Sequence, residues 1–139
     1  MQALGAEEAV MAYPADYRYT KEHEWLKVEG NSGTIGITDH AQNSLGDIVF
    51  VELPKVGSEI TAGNTFGSVE SVKAVSDLFA PVSGTVSAVN EALNTSPEQV
   101  NKDAHGAWMI KITLKDPSEA NQLLSAGDYE KFVAEESGH

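Results

Sequence analysis

Side chains that attack, relay protons, ligate metals or accept a covalent group are what give a sequence chemistry, and here they narrow to one lysine. Lys73 lies inside Gly67 to Val86, which reads G-S-V-E-S-V-K-A-V-S-D-L-F-A-P-V-S-G-T-V. Ser71, Ser76 and Ser83 have no G-x-S-x-G elbow around them. The four histidines, His23, His40, His105 and His139, lack close metal-ligand spacing and read as structural or surface residues, so no metal site is expected. Without cysteine the chain has no thiolate, no disulfide and no redox chemistry of its own. Gly33, Gly36, Gly63 and Gly67 are not followed by the lysine and serine of a phosphate-binding loop. These absences point away from an enzyme.

A lysine in a turn is by default a solvated charge. The neighbours of Lys73 set it apart. Val72 and Ala74 are apolar residues that a plain surface turn does not need, and Glu70 and Asp77 flank them as groups that can steer an approaching enzyme. Phe66, Ser68, Val69 and Val72 lead in with strand character and Val75, Leu78, Phe79 and Val82 lead away, which places Lys73 near a hairpin tip. Ala80-Pro81-Val82-Ser83-Gly84 then signals a second sharp reversal. The lysine is presented, ready to accept a covalent group if an enzyme takes the proton that an ordinary lysine amine carries at neutral pH.

The elements that must hold this hairpin follow from the patterning. Arg18 to Glu29 alternates weakly, and Glu29-Gly30-Asn31-Ser32-Gly33 makes a loose turn into a strand over Thr34 to Thr38. Asp39 is expected to cap a short helix running through about Leu45 and ending at Gly46. Ile48-Val49-Phe50-Val51 reads as a core strand with little exposed face, closed by Pro54. Lys55 to Ile60 and Val82 to Val86 share a rhythm on opposite sides of Lys73, which suggests two related halves of a flattened sandwich. Asn90 to His105 reads as a loop with one helical turn near Pro97 to Val100, and Trp108 to Leu114 as a final strand. Asp116-Pro117 starts a helical segment, and Tyr129, Phe132 and Val133 form an amphipathic turn able to cap the sandwich.

The chain's 139 residues suit one domain, 16–139, preceded by a disordered extension over 1–15. No apolar run is long enough to span a membrane, and Gly5-Ala6-Glu7-Glu8-Ala9 fits neither a signal nor a transit peptide, so the chain reads as soluble. Nine basic against 21 acidic residues leave a formal charge of −12, which disfavours nucleic acid and anionic membranes as partners. The acidity suits a basic partner surface, and equally suits plain solubility.

The core Glu70-Ser71-Val72-Lys73-Ala74, followed by Ser76-Asp77 and Ala80-Pro81-Val82-Ser83-Gly84, resembles the lipoylation site of the glycine cleavage system H proteins. His23-Glu24-Trp25 matches too, as does Gly36 to Gln42 continuing through Leu45 to Pro54, and the likeness runs from about Tyr19 to about Val133. The resemblance implies a mostly β barrel-sandwich hybrid with lipoate on Lys73. It also implies a shuttle that is not itself catalytic. The arm would take an aminomethyl group from a pyridoxal phosphate glycine decarboxylase to a tetrahydrofolate-dependent aminomethyltransferase, and then its dithiol to dihydrolipoamide dehydrogenase. A lipoyl ligase or octanoyl transferase would load it by reading Glu70, Val72, Ala74 and Asp77. The family reading sets a monomer in the cytoplasm of a bacterium or in the mitochondrial matrix.

An arm that visits three enzymes must shelter its adduct from water. Glu24 is the first candidate to bind the adduct's ammonium and Asp39 a second; alternatively, Glu24 is a strand-face carboxylate and Trp25 core. Biotin carriers share the fold but generally have Met beside the lysine, where this chain has Val72 and Ala74. A lipoyl domain of a 2-oxoacid dehydrogenase or lipoyl relay, and a cofactor-free interaction module, are the other readings. One stretch departs from the family: Ala104 and His105 stand where Pro and Tyr are usual, Ala107 replaces the glycine before Trp108, and the loop is about one residue shorter. That puts the loop's shape in question.

Overall fold

The computed structural model describes residues 13–137. Two antiparallel sheets pack face to face without closing into a barrel, which makes the chain mostly β, in keeping with a barrel-sandwich hybrid. The larger sheet orders its strands β1 (Arg18–Tyr19), β2 (Glu24–Glu29), β3 (Ser32–Ile37), β9 (Ile110–Leu114), β8 (Gly84–Val89) and β5 (Glu59–Ile60). The smaller sheet is β4 (Ile48–Glu52), β6 (Thr65–Ser71) and β7 (Val75–Phe79). The similar stretches before and after Lys73 meet each other, since β5 pairs with β8 through Glu59–Thr85 and Ile60–Gly84.

The period of two in each strand sends one set of side chains inward. Ile35, Ile110, Ile112 and Val86 of the large sheet meet Val51, Val69 and Leu78 of the small one in a single apolar cluster. A second cluster of Tyr19, Trp25 and Tyr129 lies beneath α4 (Ala126–Ser137). Tyr19 and Tyr129 stack at 4.8 Å between ring centroids. Tyr13 stands edge-on to Tyr129 at 5.0 Å, and the Tyr19 hydroxyl donates to the Pro14 carbonyl at 2.7 Å. Within the extension expected over 1–15, Tyr13 packs against this cluster and the Pro14 carbonyl accepts from Tyr19; residues 1–12 lie outside the described residues.

Several local expectations change. The turn between β2 and β3 is tight, with Gly30-Asn31 alone between paired Glu29 and Ser32, and Gly30 at φ 63° takes the position that type II′ turns give to glycine. Thr38, not Asp39, caps α1 (Asp39–Leu45): its backbone is extended and its hydroxyl accepts from the Ala41 N–H at 3.2 Å. Asp39 is already helical and supplies the acid of the first turn. In β4, Val49 and Phe50 are both about half exposed, because an irregularity between Ile48 and Phe50 turns two consecutive residues outward. The loop after β8 holds two helical turns, α2 (Ala92–Thr95) and α3 (Gln99–Lys102), anchored by buried Leu93 and Val100. After β9 the segment Pro117–Gln122 is a 3₁₀ turn capped by Asp116, with Pro117 at its start as expected. No helix among the described residues is long and apolar enough to cross a membrane.

Candidate functional site

Lys73 sits in the two-residue loop between Ser71 at the end of β6 and Ala74 before β7. Ser71 staples this loop. Its backbone N–H donates to the Ala74 carbonyl at 2.8 Å, and its buried hydroxyl accepts from the Lys73 and Ala74 N–H groups, both at 3.1 Å. The Val72 N–H donates to the Asp47 carbonyl at 3.0 Å, tying the tip to the chain that leaves α1. Backbone donors that a free turn would offer to water are thus consumed internally, and the turn is rigid. Lys73 itself is exposed, with no carboxylate within ion-pair distance among the described residues.

The base on which the tip rests is Gly46. At φ 80° and ψ −158° it occupies a region essentially confined to glycine, and its Cα faces the stem of Lys73, whose Cε would lie 3.7 Å from a Cβ placed there. Asn101, from α3, locks this base. Its Oδ1 accepts from the Ile48 N–H at 2.8 Å, and its Nδ2 donates to the Gly46 carbonyl and to Gln42 Oε1, both at 2.9 Å. Sequence reasoning gave Ser71 and Asn101 no role. A serine two residues before a turn residue is a recognised turn signal, whereas nothing local marks Asn101, whose partners lie more than 50 positions away.

The outward face of the small sheet carries the other residues expected to be read. Cross-strand pairing sets Phe50, Glu70 and Val75 in one row and Glu52, Ser68 and Asp77 in the next. Val72 and Val75 are each 67% exposed. Glu70, Val72, Ala74 and Asp77 therefore share one exposed surface around the lysine, and Phe50 joins them.

Glu24 lies elsewhere, at the start of β2, and is fully buried. Its carboxylate accepts from the Thr20 hydroxyl at 2.6 Å and from the Phe79 N–H at 3.0 Å, bridging the large sheet to the end of β7. Burial pushes its pKa up to about 7, against the opposing pull of those two hydrogen bonds. No basic side chain pairs with it among the described residues. Together with Thr20, Phe79 and Pro81 it lines an open, largely apolar groove of about 360 Å³. Asp39 is not at this groove; its N–H donates to His105 Nε2 at 3.2 Å and its carboxylate accepts from Gln42.

A family model described as Glycine cleavage H-protein matches residues 17–136. The chain belongs to the glycine cleavage H-protein family. It is 74% identical over 129 residues to the glycine cleavage system H protein of Koribacter versatilis, covering 93% of this chain and 100% of that one. The corresponding protein of Acidobacterium capsulatum is 68% identical over 129 residues, with the same coverage. Among solved structures, a glycine cleavage system H protein from Mycobacterium marinum aligns with a TM-score of 0.78 at 38% identity, covering 91% of this chain and 99% of that one.

Against this H-protein background the altered loop keeps a defined shape. The Ala104 carbonyl accepts from the buried Trp25 indole N–H at 3.1 Å. The His105 carbonyl accepts from the Tyr17 hydroxyl at 3.1 Å. Its Nε2 accepts from the first N–H of α1, a contact that needs this nitrogen unprotonated, and burial lowers the His105 pKa accordingly.

Proposed function

We propose that this H-protein family member is the lipoyl-bearing shuttle of glycine cleavage, with lipoate joined to Lys73 Nζ by an amide bond and with no catalytic step of its own. The observation that carries this reading is the Ser71-stapled turn, which holds one unpaired lysine out on a rigid base. Once attached, lipoate supplies a disulfide that accepts an aminomethyl group and ends as a dithiol for reoxidation. The chain's own residues do the rest. Ser71, Gly46 and Asn101 fix where the arm is rooted, so that every partner meets it at one place. The exposed rows of Phe50, Val72, Val75, Glu70 and Asp77 form the surface that the loading enzyme, the decarboxylase, the aminomethyltransferase and dihydrolipoamide dehydrogenase recognise, with the carboxylates favouring basic partners.

Glu24 shelters the cargo. A buried carboxylate without a basic partner, opening onto an apolar groove, attracts a cationic amine into a place of low water activity. β7 leads from the lysine turn towards this groove, and the six residue steps from Lys73 to Phe79 span roughly 20 Å along the strand that the lysyl-lipoyl arm would follow. Asp39 does not line this groove, its carboxylate accepting instead from Gln42. The bacterial relatives favour a cytoplasmic setting.

The test is reconstitution with the decarboxylase and glycine. Carbon dioxide release is expected to require the lipoylated chain and to vanish with Lys73→Arg; release that persists with the arginine variant would overturn the assignment. With a loaded chain, Glu24→Gln is expected to speed loss of ammonia to water by roughly tenfold, the equivalent of about 1.4 kcal/mol. An unchanged rate would remove Glu24 from the shelter.

A further inference from the structure

His23, His40 and Glu136 are 113 positions apart at their extremes and have no part in the lysine site, yet their ligand atoms lie within 4.8 Å of one another. We propose that they form a binding site for a borderline divalent transition-metal ion, of which zinc is the expected occupant. The donor set is two imidazole nitrogens and a carboxylate, a combination that suits zinc and leaves a fourth position for water.

The spacing favours an ion over a simple ion pair. Glu136 Oε1 lies 3.3 Å from His23 Nε2 and 3.6 Å from His40 Nε2. Charge-assisted N–H to carboxylate bonds run at about 2.7–2.9 Å. Two donors bound tetrahedrally to zinc at about 2.05 Å stand about 3.3 Å apart. Both Glu136 contacts are thus longer than a charge-assisted bond and near the edge length of a zinc tetrahedron, while the three ligand atoms all lie within 4.8 Å of one another. The two imidazoles are tilted by 42° with 4.6 Å between ring centres, and an approach of the His40 ring would complete the site.

Supporting contacts orient the first ligand. His23 Nδ1 lies 2.7 Å from the Tyr129 hydroxyl, which in turn lies 2.8 Å from Thr38 Oγ1. That chain occupies Nδ1 and leaves Nε2 free to ligate, the arrangement that second partners impose on metal-bound histidines. His23 also has a backbone φ of 75°, the one positive value outside glycine among the described residues. Such a conformation persists where surrounding contacts impose it, and here the His23 N–H donates to Thr20 while its carbonyl accepts from Thr38.

The ion would tie three separate elements together: the turn before β2, the first turn of α1 and the end of α4. Glu24, next to His23, lines the groove, so the metal would brace the groove's back wall through the C-terminal helix. This site does not depend on the lipoyl reading. The chain has no cysteine to compete for zinc, but a reduced lipoyl dithiol would, so the lipoyl-free full chain is the material to use.

Calorimetric titration with zinc chloride is expected to show one ion per chain. His40→Gln and Glu136→Gln should each weaken binding at least tenfold, while His139→Ala should leave it unchanged. Zinc should raise the Tm of the parent chain and not that of the two weakened variants, whose circular dichroism in the absence of metal reports that they fold. Cobalt(II) should give the intense visible bands of a tetrahedral site. Absence of binding to the folded parent chain, or binding that survives His40→Gln and Glu136→Gln or is lost with His139→Ala, would overturn the proposal.

Discussion

Gly46 shows how one backbone position governs the lysine turn. A Cβ there would make only ordinary van der Waals contact with the Lys73 stem, so the penalty for Gly46→Ala is conformational and should be about 1–3 kcal/mol. Urea unfolding should report that loss. Asn101→Ala should cost a similar amount, about 1–3 kcal/mol, because it strips the Ile48 N–H and the Gly46 carbonyl of a shared partner. Glu24 sets a pH dependence. Between pH 4.5 and about 7 the folded chain holds a proton there that the unfolded chain releases, so its contribution makes stability fall as pH rises through that window and level off above it. Glu24→Gln should flatten that part of the stability profile by at most about 3 kcal/mol, and parallel profiles for the two proteins would show that Glu24 does not titrate abnormally. Lys73 was legible in the sequence because its neighbours are local. Asn101 was not, because its role is defined by partners that only the fold supplies.

At the scale of elements, the small sheet matters most. Its inner face closes the core, while its outer face leaves Phe50 and Val75 unburied beside Glu70 and Asp77. Grouped on one face around the lysine turn, these exposed apolar side chains are the surface we propose that partners contact. Val75→Ser should therefore change stability by less than about 0.5 kcal/mol, yet slow lipoylation by the ligase. Glu70→Lys with Asp77→Lys should lower kcat/KM for lipoylation about tenfold at low ionic strength, with the gap narrowing as salt screens the surface. The strands were legible wherever the period of two holds, as in Ile110 to Leu114. Ile48 to Val51 misled because a run of apolar residues cannot show a bulge, and Asp39 misled because Thr38 and Asp39 are both good caps and only the backbone angles separate them.

Across the whole molecule, two cores divide the work. The sandwich core carries the lysine turn, and the aromatic cluster under α4 carries the Glu24 side of the groove, with Tyr129 linking His23 to Thr38. The family motifs made the first core and its lysine readable from local sequence. The second joins Tyr13, Tyr19 and Tyr129, and its packing depends on long-range contacts that spacing does not encode. The same holds for the meeting of His23 and His40 with Glu136. The central proposal is that the chain carries a lipoyl group on Lys73, and the intact mass of the protein tests that most directly. After incubation with lipoate-protein ligase, ATP and lipoate, the chain should gain one lipoyl group and Lys73→Arg none. A parent chain that gains nothing while a control lipoyl domain is modified, or an arginine variant that gains the group all the same, would contradict the account.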